Sequence, residues 1–245
     1  MSGIYDAPAS ELTKNSAGSE FGSVERGIAG DYELTIGGVF SEAKSKLNGS
    51  KGPAWVAIAL SMVAFVAINF SLKFVLGLLP LPAFFSSIVL QAIVTLLTTP
   101  ITVGVMLVGV KLAADVRASG SSIFSYFDMM LNLFLQTLLI YLIVFIGILL
   151  LVLPGIYLAF AYMYAGSLVV EKKMGIWEAM EASRRAVTHS WFKLFFVWII
   201  IMVLIIISAI PLLIGLIWTL PLSLLCFGVV YKTLFGVERA TLDQE

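Results

Sequence analysis

Long apolar runs dominate the chain from residue 54 onward, separated alternately by short proline-containing turns and by longer charged stretches. A helix rises 1.5 Å per residue, so about 20 apolar residues cross a hydrocarbon core of roughly 30 Å. Six spans are predicted on that basis, at 54–79, 83–113, 129–153, 155–170, 192–210 and 212–235. Pro80-Leu81-Pro82, Pro154-Gly155 and Pro211 make the turns on one side. Pro100 and Pro221 fall inside spans two and six, where neighbouring helices can satisfy the carbonyl each frees.

Amphipathic periodicity predicts two further helices, at 35–51 and 175–190. In the first, Ile36, Val39, Phe40, Ala43 and Leu47 recur at helical spacing, with Glu42, Lys44 and Lys46 on the other face. Such a helix is expected to lie in the headgroup region until Gly52-Pro53 breaks it. In the second, Glu181 stands one turn before Arg185. A third interfacial stretch, 121–128, precedes span three. Similar short stretches stand before each odd-numbered span, at 38–43, 122–127 and 175–180, which raises the possibility of three repeated hairpins. The expected fold class is all-α: a polytopic bundle of six transmembrane helices with interfacial amphipathic helices.

Composition agrees with that pattern. Hydrophobic residues make up 60% of the chain and charged ones 12%, about half the charged share of a soluble domain. Too few polar residues remain to cover a water-facing surface. Residues 1–34 differ: they hold six acids against Lys14 and Arg26 and few large apolar groups. They are expected to be a disordered cytoplasmic tail ahead of a membrane domain at 35–245.

Loop charge sets the expected orientation. Lys44, Lys46 and Lys51 precede span one, Lys111 and Arg117 follow span two, and Lys172, Lys173, Arg184 and Arg185 lie between spans four and five. Lys232 and Arg239 follow span six, while the proline turns carry no basic residue. The positive-inside rule then puts both termini in the cytoplasm. Trp55, Trp177 and Trp191 stand where an aromatic belt is expected at that face. Net charge is zero, so no nucleic-acid partner is expected. One histidine, His189, and one cysteine, Cys226, leave too few soft ligands for a metal site. No cofactor is expected.

Polar residues inside the spans are the candidate chemistry, because each costs free energy unless partnered. Ser87, Gln91, Thr95, Thr98 and Thr102 share one face of span two. Asn132 and Gln136 in span three are their expected partners. The seam reads either as helix–helix glue or as a polar pathway or headgroup site. Lys73, with Asn69 one turn before it, is expected either to snorkel to the surface or to hold a lipid phosphate or a partner carboxylate. Glu171, Lys172 and Lys173 are expected at the water interface, and Glu181, Arg184 and Arg185 on the solvated face of the second amphipathic helix. No acid occupies the middle of a span, which argues against a proton-coupled pump. Nothing in the chain matches an enzyme signature, so no catalytic residue is assigned.

Leu153-Pro154-Gly155-Ile156-Tyr157, the stretch Val169 to Met180, and Ser183-Arg184-Arg185 together resemble the YciC-like family of bacterial inner-membrane proteins. They are also similar to the membrane domain fused to some glycerophosphodiester phosphodiesterases, and the resemblance does not extend to the catalytic domain of those enzymes. The resemblance is strongest over residues 150–200. It implies a six-span protein of the bacterial inner membrane and transfers no activity to particular residues. The function expected is a non-catalytic module that binds membrane lipids or scaffolds an assembly, with a second copy of itself or another membrane protein as partner. The alternative is a small transporter or channel with its pathway along span two.

Overall fold

The amphipathic register that starts at Ile36 does not stop at Gly52-Pro53. A computed structural model describes residues 22–80, 82–238 and 241. Among these, 82% are helical and none lies in a strand. The helices are α1 (Val24–Ala29), α2 (Ile36–Gly77), α3 (Ala83–Ala113), α4 (Met130–Leu150), α5 (Val152–Ala161), α6 (Ala165–Glu171), α7 (Ile176–His189), α8 (Trp191–Ala209) and α9 (Leu216–Phe235). Two 3-10 turns, Gly120–Phe124 and Phe127–Met129, make up most of the stretch expected to be interfacial at 121–128. Six segments are long and apolar enough to cross a membrane: α2, α3, Gly120–Leu150, Val152–Glu171, α8 and α9. The chain is a multi-pass helical membrane protein, as its hydropathy pattern predicts.

The even-numbered spans are the inner ones. The most apolar stretches of α3 and α9 are each 50% buried and that of Val152–Glu171 is 44% buried, against 6% in α2 and 17% in α8. Small residues explain the difference, because backbones approach closely only where Cβ atoms are absent. A Cβ on Gly228 of α9 would lie 2.1 Å from the Gly109 carbonyl oxygen of α3. The α8 sequence, dense in Ile, Phe and Val, has no such seam and turns Phe192, Phe196, Met202 and Ile206 outward.

Helix α2 is 42 residues long, roughly 63 Å, or twice the hydrocarbon thickness. The expected break at Gly52-Pro53 is therefore corrected. Pro53 lacks the N–H that would reach the Gly49 carbonyl, but Leu47, Ser50, Ala54 and Ala57 around it are all buried and hold the helix across the gap. Nor is the apolar face of the first half free to rest on a bilayer. Glu42 pairs with Lys232 near the end of α9, and Trp55 Nε1 donates to the Ile217 carbonyl (3.0 Å) at its start. Both separations are about 20 Å of helix, so this half stands alongside α9. Its apolar face, Val39, Ala43 and Leu47, covers protein. Trp55 thus sits at the opposite end of α9 from Trp177, which lines a groove with Glu238, and the three tryptophans form no single belt.

Helix α7 repeats the lesson. Ala179, Met180, Ala182, Ser183, Ala186 and Val187 are buried within the protein, and Trp177, Glu178, Arg185, Thr188 and His189 are exposed. Buried Ser183 donates to the Ala161 carbonyl (2.6 Å), fastening α7 to α5.

Of the expected tail, residues 1–21 lie outside the described residues. Residues 22–34 are folded, which corrects the expectation of disorder there. Ser23 caps α1 by accepting from the Arg26 amide (3.2 Å), and Gly30 ends it at a φ of 77°. The large apolar groups are few but fall on one side: Val24, Ile28 and Tyr32 pack against the core and Leu34 is buried in it. Tyr32 also donates its hydroxyl to the Ala186 carbonyl at 2.7 Å.

The turns differ in detail from expectation. The chain reverses at extended Leu151, and Pro154 and Gly155 lie in the first turn of α5, where a missing N–H costs nothing. Gly155 lets α5 close on α4, since a Cβ there would sit 2.7 Å from the Ile148 nitrogen. Span four is interrupted at 162–164, and the last hairpin turns over 210–215. The three hairpins have unlike entrances: a continuous helix, two 3-10 turns and a separate helix.

Candidate functional site: a polar cavity among α2 to α6

The threonine face of α3 forms one wall of a cavity of about 480 Å³. Thr98 donates to the Val94 carbonyl (2.7 Å), Thr99 to Thr95 (2.7 Å) and Thr102 to Thr98 (3.0 Å). Each hydroxyl thereby spends its proton on its own helix and keeps its lone pairs for the cavity. Gln91 Nε2 donates to Thr95 Oγ1 at 3.3 Å. From α2 comes Asn69, whose amide donates to the Phe65 carbonyl (2.9 Å). Helix α4 contributes Gln136 and Thr137, and the α5–α6 break brings in Tyr162, Gly166 and Ser167.

Two side chains there are unusual. Gln136 and Ser167 are each 1% exposed, yet Gln136 Nε2 and Ser167 Oγ have no hydrogen-bond partner among the described residues. A buried unpaired polar group costs about 1–3 kcal/mol, and nearly all buried polar groups are paired. Both line the wall of this cavity.

The structure thus brings together Asn69, Gln91, Thr95, Thr98, Thr102 and Gln136. It leaves out three of the expected residues. Asn132 is exposed, one turn before Gln136 and off the cavity, so it does not partner the α3 face. Lys73 is exposed, and Ser87 is exposed and donates to its own Phe84 carbonyl. Thr99, Thr137 and Ser167 were not anticipated. A signal for Ser167 exists in the adjacent Gly166, since a Gly-Ser pair in an apolar run marks close helix contact. Thr137 is turned by only one residue from Gln136, and its hydroxyl donates to the Leu133 carbonyl (2.8 Å).

A second polar cluster joins the ends of α6 and α9. Glu171, expected at the water interface, has a side chain only 1% exposed. It accepts from the Tyr231 hydroxyl (3.0 Å) and from the Glu238 amide (2.6 Å). Lys172 Nζ lies 3.3 Å from Glu171 and 3.1 Å from the Glu238 carboxylate. Folding the chain after α9 back over α6 buries this pair. Lys173 alone is exposed, at a φ of 55°. Nearby, Lys232 pairs with Glu42 and donates to the Ala113 carbonyl (3.3 Å), placing a cation at the carboxyl end of α3.

On α7, Glu181 accepts two bonds from Arg184, at 2.8 and 2.7 Å, and one from Arg185 at 2.6 Å. The Arg184 hydrogen bonds, with Arg185 behind them, hold the Glu181 carboxyl down at about 2, against the ordinary 4.5. A depressed carboxyl stabilises the fold fully above its unfolded value and loses that contribution as pH falls through the folded one. Stability from this trio is therefore expected to fade between pH 4.5 and about 2, and by no more than about 1 kcal/mol, since the pair is solvent-screened. Comparing acid unfolding of the wild type and Glu181→Gln checks this. A variant that loses stability equally at pH 7 and pH 2 contradicts it.

The fold and cavity define a class: a polytopic α-helical membrane protein with a polar pocket between its spans. No protein-family model, curated protein or solved structure matches the chain.

Proposed function

We propose that this protein is a lipid-binding membrane module whose cavity receives the polar part of a membrane amphiphile. The observation that carries this reading is the pair of buried, unpartnered groups, Gln136 Nε2 and Ser167 Oγ, on one cavity wall. The cavity's rim supports it too. Phe65 and Tyr141 line the cavity and are 53% and 61% exposed, on the sides of α2 and α4 where apolar residues face outward. A lipid enters from there without crossing water.

The scaffolding reading has less support, because the amphipathic faces at 36–51 and in α7 are already spent on the protein's own core. A pathway along α3 is disfavoured by packing beyond the cavity. Leu107, Val108, Val110, Leu168, Val169 and Val170 are at most 3% exposed there and belong to one packed core. The reading assigns no catalytic step, and among the described residues the cavity wall carries no carboxylate, histidine or cysteine. Membership of the YciC-like group belongs to the same proposal, and so does a bacterial inner membrane with both termini in the cytoplasm. The 153–185 motif and the basic loops support them.

The test is native mass spectrometry of protein purified from membranes. Wild type is expected to retain a lipid through detergent exchange, and the double variant Gln136→Leu, Ser167→Ala to lose it. Equal retention by both removes the cavity from the account.

A further inference from the structure

The cavity also restricts which lipid it takes. We infer that the group it accepts is uncharged and carries both a hydroxyl and a carbonyl, as the free hydroxyl and ester carbonyls of a diacylglycerol do. This rests on the lipid-binding reading above.

The donor and acceptor count leads there. Thr98, Thr99, Thr102 and Thr137 all donate to their own helix. A hydroxyl has one proton and two lone pairs, so these four present acceptors to the cavity. On the face these four form, a phosphate or carboxylate, which has only acceptors at neutral pH, meets lone pairs with lone pairs, while the donors of Asn69, Gln91, Tyr141 and Tyr162 lie elsewhere on the lining. A group that meets those four threonines must bring a proton, as a hydroxyl does. Across the cavity Gln136 and Ser167 supply unspent donors, and the Gln136 amide offers both a donor and an acceptor whichever way it is turned. Those donors call for a carbonyl.

Charge excludes the alternatives. Among the described residues, no Lys, Arg, His, Asp or Glu lines the cavity, and Lys73, one turn beyond Asn69, does not reach its wall. An ion brought there loses its hydration and gains no counter-charge. The rest of the wall, Val94, Met106, Ile140 and Met163 among it, is apolar and suits an acyl chain. A soluble polyol has no use for that surface, and the exposed Phe65 and Tyr141 at the rim place its mouth toward hydrocarbon.

The experiment uses the full chain in dioleoyl phosphatidylcholine nanodiscs with two photoreactive probes. One is dioleoylglycerol and the other dioleoyl phosphatidic acid, each with a diazirine at the same acyl carbon. They differ only in the phosphate. Labelled peptides are mapped by mass spectrometry. The diacylglycerol probe is expected to label the peptide containing Thr98 and Met106 at least tenfold more than phosphatidic acid does. Gln136→Leu is expected to lower that labelling about tenfold, the loss of one or two hydrogen bonds, without lowering the melting temperature of the probe-free protein. Ser167→Ala, a smaller change, carries the same test if the leucine variant does not fold. Equal or stronger labelling by phosphatidic acid overturns the inference and leaves lipid binding standing. Undiminished labelling of both variants overturns the assignment of the donors. Labelling of the α3 peptide by neither probe removes the lipid reading itself.

Discussion

Glu171→Ala is expected to destabilise the protein by roughly 3–5 kcal/mol, the usual cost of removing one member of a buried charged pair. The carboxylate holds two groups from the end of α9 and just beyond it, and stands against the neighbouring lysine. The Tyr231 hydroxyl and Glu238 amide donate to it, and Lys172 stands 3.3 Å away. Alanine leaves the tyrosine hydroxyl unpaired in a fully buried position, since Tyr231 is 0% exposed. It also leaves Lys172, with a side chain 8% exposed, to Glu238 alone. Glu171→Gln keeps an acceptor for Tyr231 but turns an NH2 toward another donor, so its loss is expected to be smaller than that of alanine. Thermal unfolding in a mild detergent measures both. An alanine variant within about 1 kcal/mol of wild type would mean that water reaches the cluster and the burial is not real.

The second large effect is expected at the crossing of α3 and α9. Gly228→Val places a Cβ where only 2.1 Å separates it from the Gly109 carbonyl oxygen, with the Ala113 Cβ 2.9 Å away. The obstacle is backbone, which cannot rotate aside, so the two inner helices must separate along their length. Overpacking costs about 1–3 kcal/mol where side chains can yield, and more where they cannot. A loss of about 3 kcal/mol or more is expected, read as a fall in melting temperature. Gly49→Ala is the control. Its Cβ would meet nothing within 4 Å, and alanine is favoured over glycine in a helix by about 0.5–1 kcal/mol. The two substitutions should therefore move stability in opposite directions. If Gly228→Val unfolds like wild type, the close crossing is wrong.

The span limits at 83–113 and the helix at 175–190 were legible within a residue or two, because hydropathy and 3.6-residue periodicity are local properties. The candidate site was half legible. The Gln91 to Thr102 face was visible from spacing on one helix, and Gln136 from its place as an isolated amide in an apolar run. Asn132, one turn from Gln136 on the same helix face, looked equally suitable, because spacing along one helix does not show where along it a cavity ends. Ser167 was obscured for a different reason. It reaches the cavity through the interruption at 162–164, which has no proline or glycine within it to announce a turn.

The amino-acid sequence alone settled that the chain is helical and crosses a membrane several times, since the transfer free energy of an apolar run depends on its residues and not on their neighbours. It also showed that 36–51 and 176–189 carry one apolar face each. Only the tertiary structure decided what those faces cover. An apolar stripe loses water equally well against lipid or against protein, and here the small residues of α3, α7 and α9 allowed protein to come close enough to take it. The same close packing put Glu171 out of water and left Gln136 and Ser167 facing one cavity, because a side chain's burial is set by the helices beside it and not by its own place in the chain.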